Sequence, residues 1–293
     1  MTGEDFDLQL PSGRLRLRRF GSEKAPLVLG VPGISANLSG FDYLGERLGG
    51  DDLQFVAIDL RGRGFSEVTP PGTYGPKSHA ADVLAIADAL GAERFSLAGQ
   101  SSGALISMLV AREAEQRLDR LVLLDLCGAP DDTSVVPVEA AILRLDTVFP
   151  SVEAYIELFR SRGVIAEWSD YWERYLRYEL REVDGGVAAR SNRAAVWEDH
   201  CWHKGILTLG DASGVYQLWK HLMMPVLLVY ALREIIPGFG YITPPSEWQR
   251  FPREVPTAAA AGVDANHYEI CTHPDTALAV ADFFGVHAAL EVS

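Results

Sequence analysis

The densest chemical signal in the chain is Gly99-Gln100-Ser101-Ser102-Gly103, a glycine-x-serine-x-glycine pattern. It follows the apolar run Phe95 to Ala98 and precedes a helical stretch from Ala104 to Ala111. Flanking glycines let the backbone turn sharply, so the central serine stands exposed at the carboxyl end of a strand. The next helix then offers an N–H and the positive end of its dipole to a developing oxyanion. Ser102 is a nucleophile by type, but only Ser101 lies at the centre of the pattern. A purely structural glycine turn is the bland alternative, and it leaves the strand and helix on either side unexplained.

A serine hydroxyl needs an adjacent base. Of the seven histidines, His267 lies in Ala265-Asn266-His267-Tyr268, a loop between a weak strand and the last helix. That loop delivers it to the same sheet edge. His79, His221 and His287 fall on expected helices or their ends and read as surface residues. His273 precedes Pro274 at the start of the last helix. His200 and His203 could pair on a metal, but their segment shows no clear helical frame and no matching second cluster, so packing within a lid is preferred. The loop Val31-Pro32-Gly33-Ile34 supplies the remaining oxyanion donors. A glycine there permits close backbone approach, so the N–H of Gly33 or Ile34 would join that of Ser102.

These groups need a sheet to hold them. Phe6 to Leu10 and Arg14 to Phe20 alternate around Pro11-Ser12-Gly13, which predicts a hairpin. Continuous apolar runs at 26–31, 55–58, 95–98, 121–124 and 225–230 predict strands buried on both faces. Helical spacing at 41–48, 79–90, 104–111 and 275–284 separates them, with a short strand near 257–263. The expected fold is α/β: a mostly parallel sheet with helices on both faces. Residues 129–221 break the alternation. They are rich in aromatic and charged residues, show helical patterns at 139–149, 152–160 and 168–180, and hold no convincing buried strand. The chain therefore reads as a core of residues 1–128 and 222–293 carrying a helical cap, 129–221.

Val31-Pro32-Gly33, Ile58-Asp59-Leu60-Arg61-Gly62-Arg63-Gly64-Phe65-Ser66, the Ser101 elbow and Asn266-His267-Tyr268 together resemble the α/β-hydrolase superfamily, over roughly residues 25–127 and 223–290. The resemblance implies a structural role for Asp59 and Arg61 and a mobile cap at the insertion. It also implies a triad acid, and here the chain departs from the common pattern. The strand after the cap runs into Tyr230-Ala231-Leu232-Arg233-Glu234, which lacks the usual glycine and aspartate and leaves Glu234 as the nearby carboxylate. A second arrangement, similar to zearalenone lactonases and some other capped serine hydrolases, puts the acid after the strand preceding the cap. Asp125 holds that place, 24 residues past Ser101. Asp125 is preferred, and Glu234 stays as the alternative.

The 293 residues carry 26 Lys+Arg against 40 Asp+Glu, a formal net charge of −14. An acidic chain lacks the basic face that nucleic acid requires, and it does not favour an anionic membrane. The longest apolar run, Leu222 to Leu232, is about half a membrane span and is broken by Pro225. The first residues show no secretory pattern, and Cys127, Cys201 and Cys271 are too few for a disulfide framework, so a cytoplasmic location is expected. The expected activity is hydrolysis of a carboxylic ester or lactone through an acyl-enzyme, with no cofactor and no metal. The partner is a small molecule, apolar or aromatic, because Trp168, Tyr171, Trp172, Tyr175, Tyr178 and other insertion aromatics supply the roof. The rivals are a C–C bond hydrolase, a cofactor-free biosynthetic enzyme and a low-turnover ligand receptor.

Overall fold

Apolar runs too long for one-sided burial become the centre of an eight-stranded sheet in the computed structural model, which describes residues 3–208 and 214–288. Its strands are β1 (Glu4–Leu10), β2 (Gly13–Phe20), β3 (Leu27–Val31), β4 (Gln54–Ile58), β5 (Phe95–Gln100) and β6 (Leu118–Leu124). After an insertion that carries the hairpin β7 (Leu180–Val183) and β8 (Gly186–Ala189) come β9 (Val226–Ala231) and β10 (Ala258–Val263). The order across the sheet is β1-β2-β4-β3-β5-β6-β9-β10. Only β2 runs against its neighbours, and all other pairs are parallel.

Side chains alternate across each strand, so one sheet feeds two cores. Leu97, Leu121 and Leu123 face α2 (Pro76–Ala89) and α3 (Ser102–Ala114), among whose residues Val83, Ile86, Leu105 and Leu109 are buried. Ala98, Val122 and Leu124 face the opposite way, toward α1 (Asp42–Leu48) and the last helix of the chain. Both faces of the central strands are thus covered, as the unbroken apolar runs require.

Between β6 and β9 the chain leaves the sheet. It forms α4 (Val135–Leu143), α5 (Val152–Ser161), α6 (Asp170–Glu179), the β7–β8 hairpin, α7 (Arg193–Thr208) and the single turn α8 (Val215–Leu218). Two expectations fail here. The first expected helix begins four residues early and ends at Leu143, because Phe149 extends to exchange backbone hydrogen bonds with Val187. The segment also contains strands after all. Asp184-Gly185 reverses the chain between β7 and β8, with Gly185 at φ 87°. Beyond β9, α9 (Pro245–Glu254) lies between the last two strands. The closing α10 (Pro274–Phe284) places Ala277, Val280 and Ala281 in the second core. Among the described residues no helix is long and apolar enough to cross a membrane.

Candidate active site

Strain marks where the sheet becomes a site. The described residues contain just two non-glycine positions with positive φ, Ser101 at 56° and Asp125 at 51°. They follow the adjacent strands β5 and β6, and the Ser101 N–H donates to Leu124 O across the gap (2.9 Å). Left-handed backbone at residues other than glycine is costly and persists where surrounding packing holds it. Here that packing is close. A Cβ on Gly103 would lie 1.9 Å from Val31 O, so α3 can press its first turn onto the end of β3 only with glycine there. The elbow thus presents Ser101 partly exposed, while Ser102 is buried and starts α3. As first residue of that helix, Ser102 has a backbone N–H with no intrahelical acceptor.

Asp125 is 1% exposed. Its Oδ1 accepts from Ala231 N (3.0 Å), and its Oδ2 lies 2.8 Å from His267 Nδ1. A carboxylate here fixes the tautomer, with the proton on Nδ1 and a lone pair on Nε2. The loop that carries His267 is shaped by its neighbour. Asn266 Oδ1 accepts from Tyr268 N and Glu269 N, while Asn266 Nδ2 donates to Val164 O (2.6 Å). Glu234 is elsewhere: its Oε2 accepts from Gly238 N within its own turn (2.6 Å). The carboxylate that meets the imidazole is thus that of Asp125, while the carboxylate of the alternative acid caps a local loop.

The free edge of His267 meets Gln100, whose Nε2 is 3.3 Å from His267 Nε2. The Ser101 hydroxyl makes no hydrogen bond among the described residues, and the imidazole Nε2 meets the amide of Gln100, the residue just before the serine. Sequence reasoning passed over Gln100. Its position beside the nucleophile was visible, but its direction follows from the strained turn. Gly33 closes the other side. A Cβ there would lie 2.5 Å from Gln100 Oε1 and 3.4 Å from Ser101 Cβ, which places the Gly33–Ile34 backbone against the elbow. Arg63 steadies this loop by donating from Nε and Nη2 to Ile34 O (3.1 and 2.9 Å).

Arg63 Nη2 also meets Asp199 Oδ2 on α7 (2.5 Å), and His79 Nε2 reaches the same oxygen (2.9 Å). Both partners are essentially inaccessible to solvent. Burial alone would raise the Asp199 pKa, but Arg63 and His79 hold it well below the usual carboxylate range. His203 Nδ1 faces Asp199 O (2.6 Å), and burial pushes its pKa down to about 4. Two sequence expectations are corrected by this cluster. His79 is buried in the seam between α2 and α7, not at the surface, because it partners an acid 120 residues away. His200 and His203 do sit on a regular helix, α7, where His200 pairs with Glu139 (2.9 Å).

Asp59 and Arg61 are engaged away from Ser101. Asp59 accepts from Leu38 N, Phe65 N and Tyr178 OH, and burial raises its pKa to about 6. Arg61 makes a paired contact with Asp82.

A cavity of about 200 Å³ adjoins the elbow. Pro32, Gln100 and Tyr268 bound it from the sheet side, and Arg144, Phe159, Arg162, Trp172 and Tyr175 from the insertion. Of the expected roof, Tyr171, Trp172 and Tyr175 line it, whereas Trp197 and Trp202 are exposed and Trp219 packs into the core, donating to Cys127 O.

The model of the alpha/beta hydrolase fold family matches residues 26–246. N-formylmaleamate deformylase of Pseudomonas putida is 39% identical over 107 residues, 36% of this chain and 39% of that protein. Human serine hydrolase-like protein is 31% identical over 122 residues, 41% of this chain and 60% of the relative. The chain thus matches less than two thirds of either relative's length. The crystal structure of an E-2-(acetamidomethylene)succinate hydrolase superposes with a TM-score of 0.83 over 97% of this chain and 100% of that one. At 22% identity that likeness speaks for the fold alone.

Proposed function

Because the chain belongs to the α/β-hydrolase fold family, we propose that it is a serine hydrolase that forms an acyl-enzyme on Ser101, with residues 129–221 as its lid. The contact that carries this reading is His267 Nδ1 to Asp125 Oδ2 at 2.8 Å, one strand away from the strained serine. In this reading the Ser101 hydroxyl attacks an acyl carbon and His267 Nε2 takes its proton. The N–H groups of Ser102 and of Gly33 or Ile34 receive the oxyanion, and each such donor is worth about 3 kcal/mol. His267 then returns the proton to the leaving group and activates water for deacylation. The acid stands after the strand that precedes the lid, as in the zearalenone-type arrangement. Gln100 must yield its place at Nε2 when the serine engages, which fits the looser geometry common in resting sites.

Carboxylic esters and lactones are the first substrate class. A second reading, cleavage of an amide-type C–N bond, is favoured by the similarity to a deformylase. Both pass through the same intermediate. Burst release of p-nitrophenol from a short-chain ester, with fluorophosphonate labelling, tests the shared step. Labelling and burst are expected in the wild type and absent in Ser101→Ala. Turnover that persists in Ser101→Ala would remove acyl-enzyme chemistry.

A further inference from the structure

Two arginines line the cavity beside the elbow, Arg144 largely buried and Arg162 exposed. Arg144, just past α4, has a side chain only 18% exposed. Its guanidinium lies over the Phe159 ring (4.7 Å) and near that of Tyr155 (5.7 Å). Its Nε is buried without a hydrogen-bond acceptor. The nearest carboxylate oxygen, Glu179 Oε1, is 3.9 Å away, beyond hydrogen-bonding distance. The other Glu179 oxygen accepts from Tyr155 OH (2.8 Å), and burial raises the Glu179 pKa. Glu179 therefore faces Arg144 as a charge at a distance, without a hydrogen bond between them. Arginine cannot escape by losing its proton, so Arg144 keeps a largely buried charge with its Nε–H unfilled, a costly state that an anion would relieve.

Arg162, at the C-terminus of α5, reaches the same cavity and forms no ion pair among the described residues. Trp172 lines it too, and its buried Nε1–H has no acceptor. The rest of the wall is largely aliphatic and aromatic, with Glu179 as its one carboxylate among the described residues. Such a site selects a short apolar chain that ends in a planar anion, because a guanidinium fork matches a carboxylate in geometry. The overall charge of −14 repels anions at long range, so this attraction is local to the cavity.

We infer that Arg144 and Arg162 bind a carboxylate of the substrate, remote from the acyl carbon that Ser101 attacks. The preferred substrate is then an acidic acyl compound, a half-ester or half-amide of a short dicarboxylic acid, in place of the neutral apolar group that the aromatic roof favours. This rests on the hydrolase reading above.

The test compares mono-p-nitrophenyl glutarate with p-nitrophenyl pentanoate, which match in length and differ in the terminal carboxylate. Wild-type kcat/KM should favour the acid at least tenfold. Arg144→Gln and the solvent-exposed Arg162→Gln should each cut that ratio at least tenfold, mainly through KM, and Arg144→Lys should recover part of it. A wild type that prefers the neutral ester, or a ratio indifferent to Arg162→Gln, overturns the inference while leaving the hydrolase reading intact. If neither ester turns over, the ester reading fails, and calorimetric titration of glutarate into Ser101→Ala decides the anion site separately. Binding in the millimolar range or tighter that Arg162→Gln abolishes supports it; no binding, or binding equal in both, refutes it.

Discussion

Among the described residues two buried histidine–aspartate pairs have nearly equal length, and their surroundings differ. His267 Nδ1 meets Asp125 at 2.8 Å, and His79 Nε2 meets Asp199 at 2.9 Å. At the first pair the remaining ring nitrogen looks toward Gln100 and the elbow. At the second, His79 Nδ1 is sealed without a partner, and Arg63 sits on the carboxylate. A carboxylate that must hold a cation across a packing seam has no spare role for its imidazole. A His–Asp contact therefore signals chemistry only where the far nitrogen opens toward a nucleophile.

Substituting the two acids should separate these roles most sharply. Asp125→Asn is expected to lower kcat by about 10³–10⁴-fold, since the wrong tautomer is then favoured, with little change in melting temperature. Asp199→Asn is expected to act on stability, by about 3–5 kcal/mol in denaturant titration, because it leaves Arg63 buried and unpaired. Its effect on kcat should be well below that of Asp125→Asn. Pairing Asp199→Leu with Arg63→Met should regain part of the stability. Equal losses of turnover in the two single variants would erase the contrast.

Acid titration gives a smaller effect with a definite sign. His203 is depressed to about 4 in the folded chain from an ordinary 6.5. The unfolded chain therefore binds its proton first, and the stability present above pH 6.5 is lost as pH falls toward 4. Asp59, raised to about 6, works in the opposite sense over the same range. The informative quantity is the difference between wild type and His203→Gln: urea midpoints of the wild type should fall further between pH 6.5 and 4.5. Parallel midpoints would show that His203 does not titrate as its burial demands. The smallest expected effect belongs to Glu234→Gln, whose kcat/KM should stay within twofold of wild type.

What could be read before the coordinates were those features written in adjacent residues. Val28 to Val31 or Leu121 to Leu124 declare a doubly covered strand by composition, and Gly99 to Gly103 declare the elbow by spacing. His267 was legible because its loop sits in the right place along the chain. Choosing between Asp125 and Glu234 was harder, since each follows an apolar strand and the choice lies in which carboxylate reaches the imidazole. The Arg63–Asp199–His79 cluster was illegible because its members are 136 and 120 residues apart, and charge pairing leaves no periodic trace. Arg144 was hidden for a related reason: among the many charges of the insertion, nothing local says which one turns inward. The β7–β8 hairpin did leave a sign, Asp184-Gly185, overshadowed by the helical spacing around it.

Arg63 grips the carbonyl of Ile34, beside the elbow, and at the same time the carboxylate of Asp199, on the helix above. Were residues 129–221 to open as the proposed lid, the arginine would lose Asp199, and its hold on Ile34 would loosen with it. Under the lid reading, admission of a molecule by that route and slackening of the loop opposite Ser101 would be a single motion.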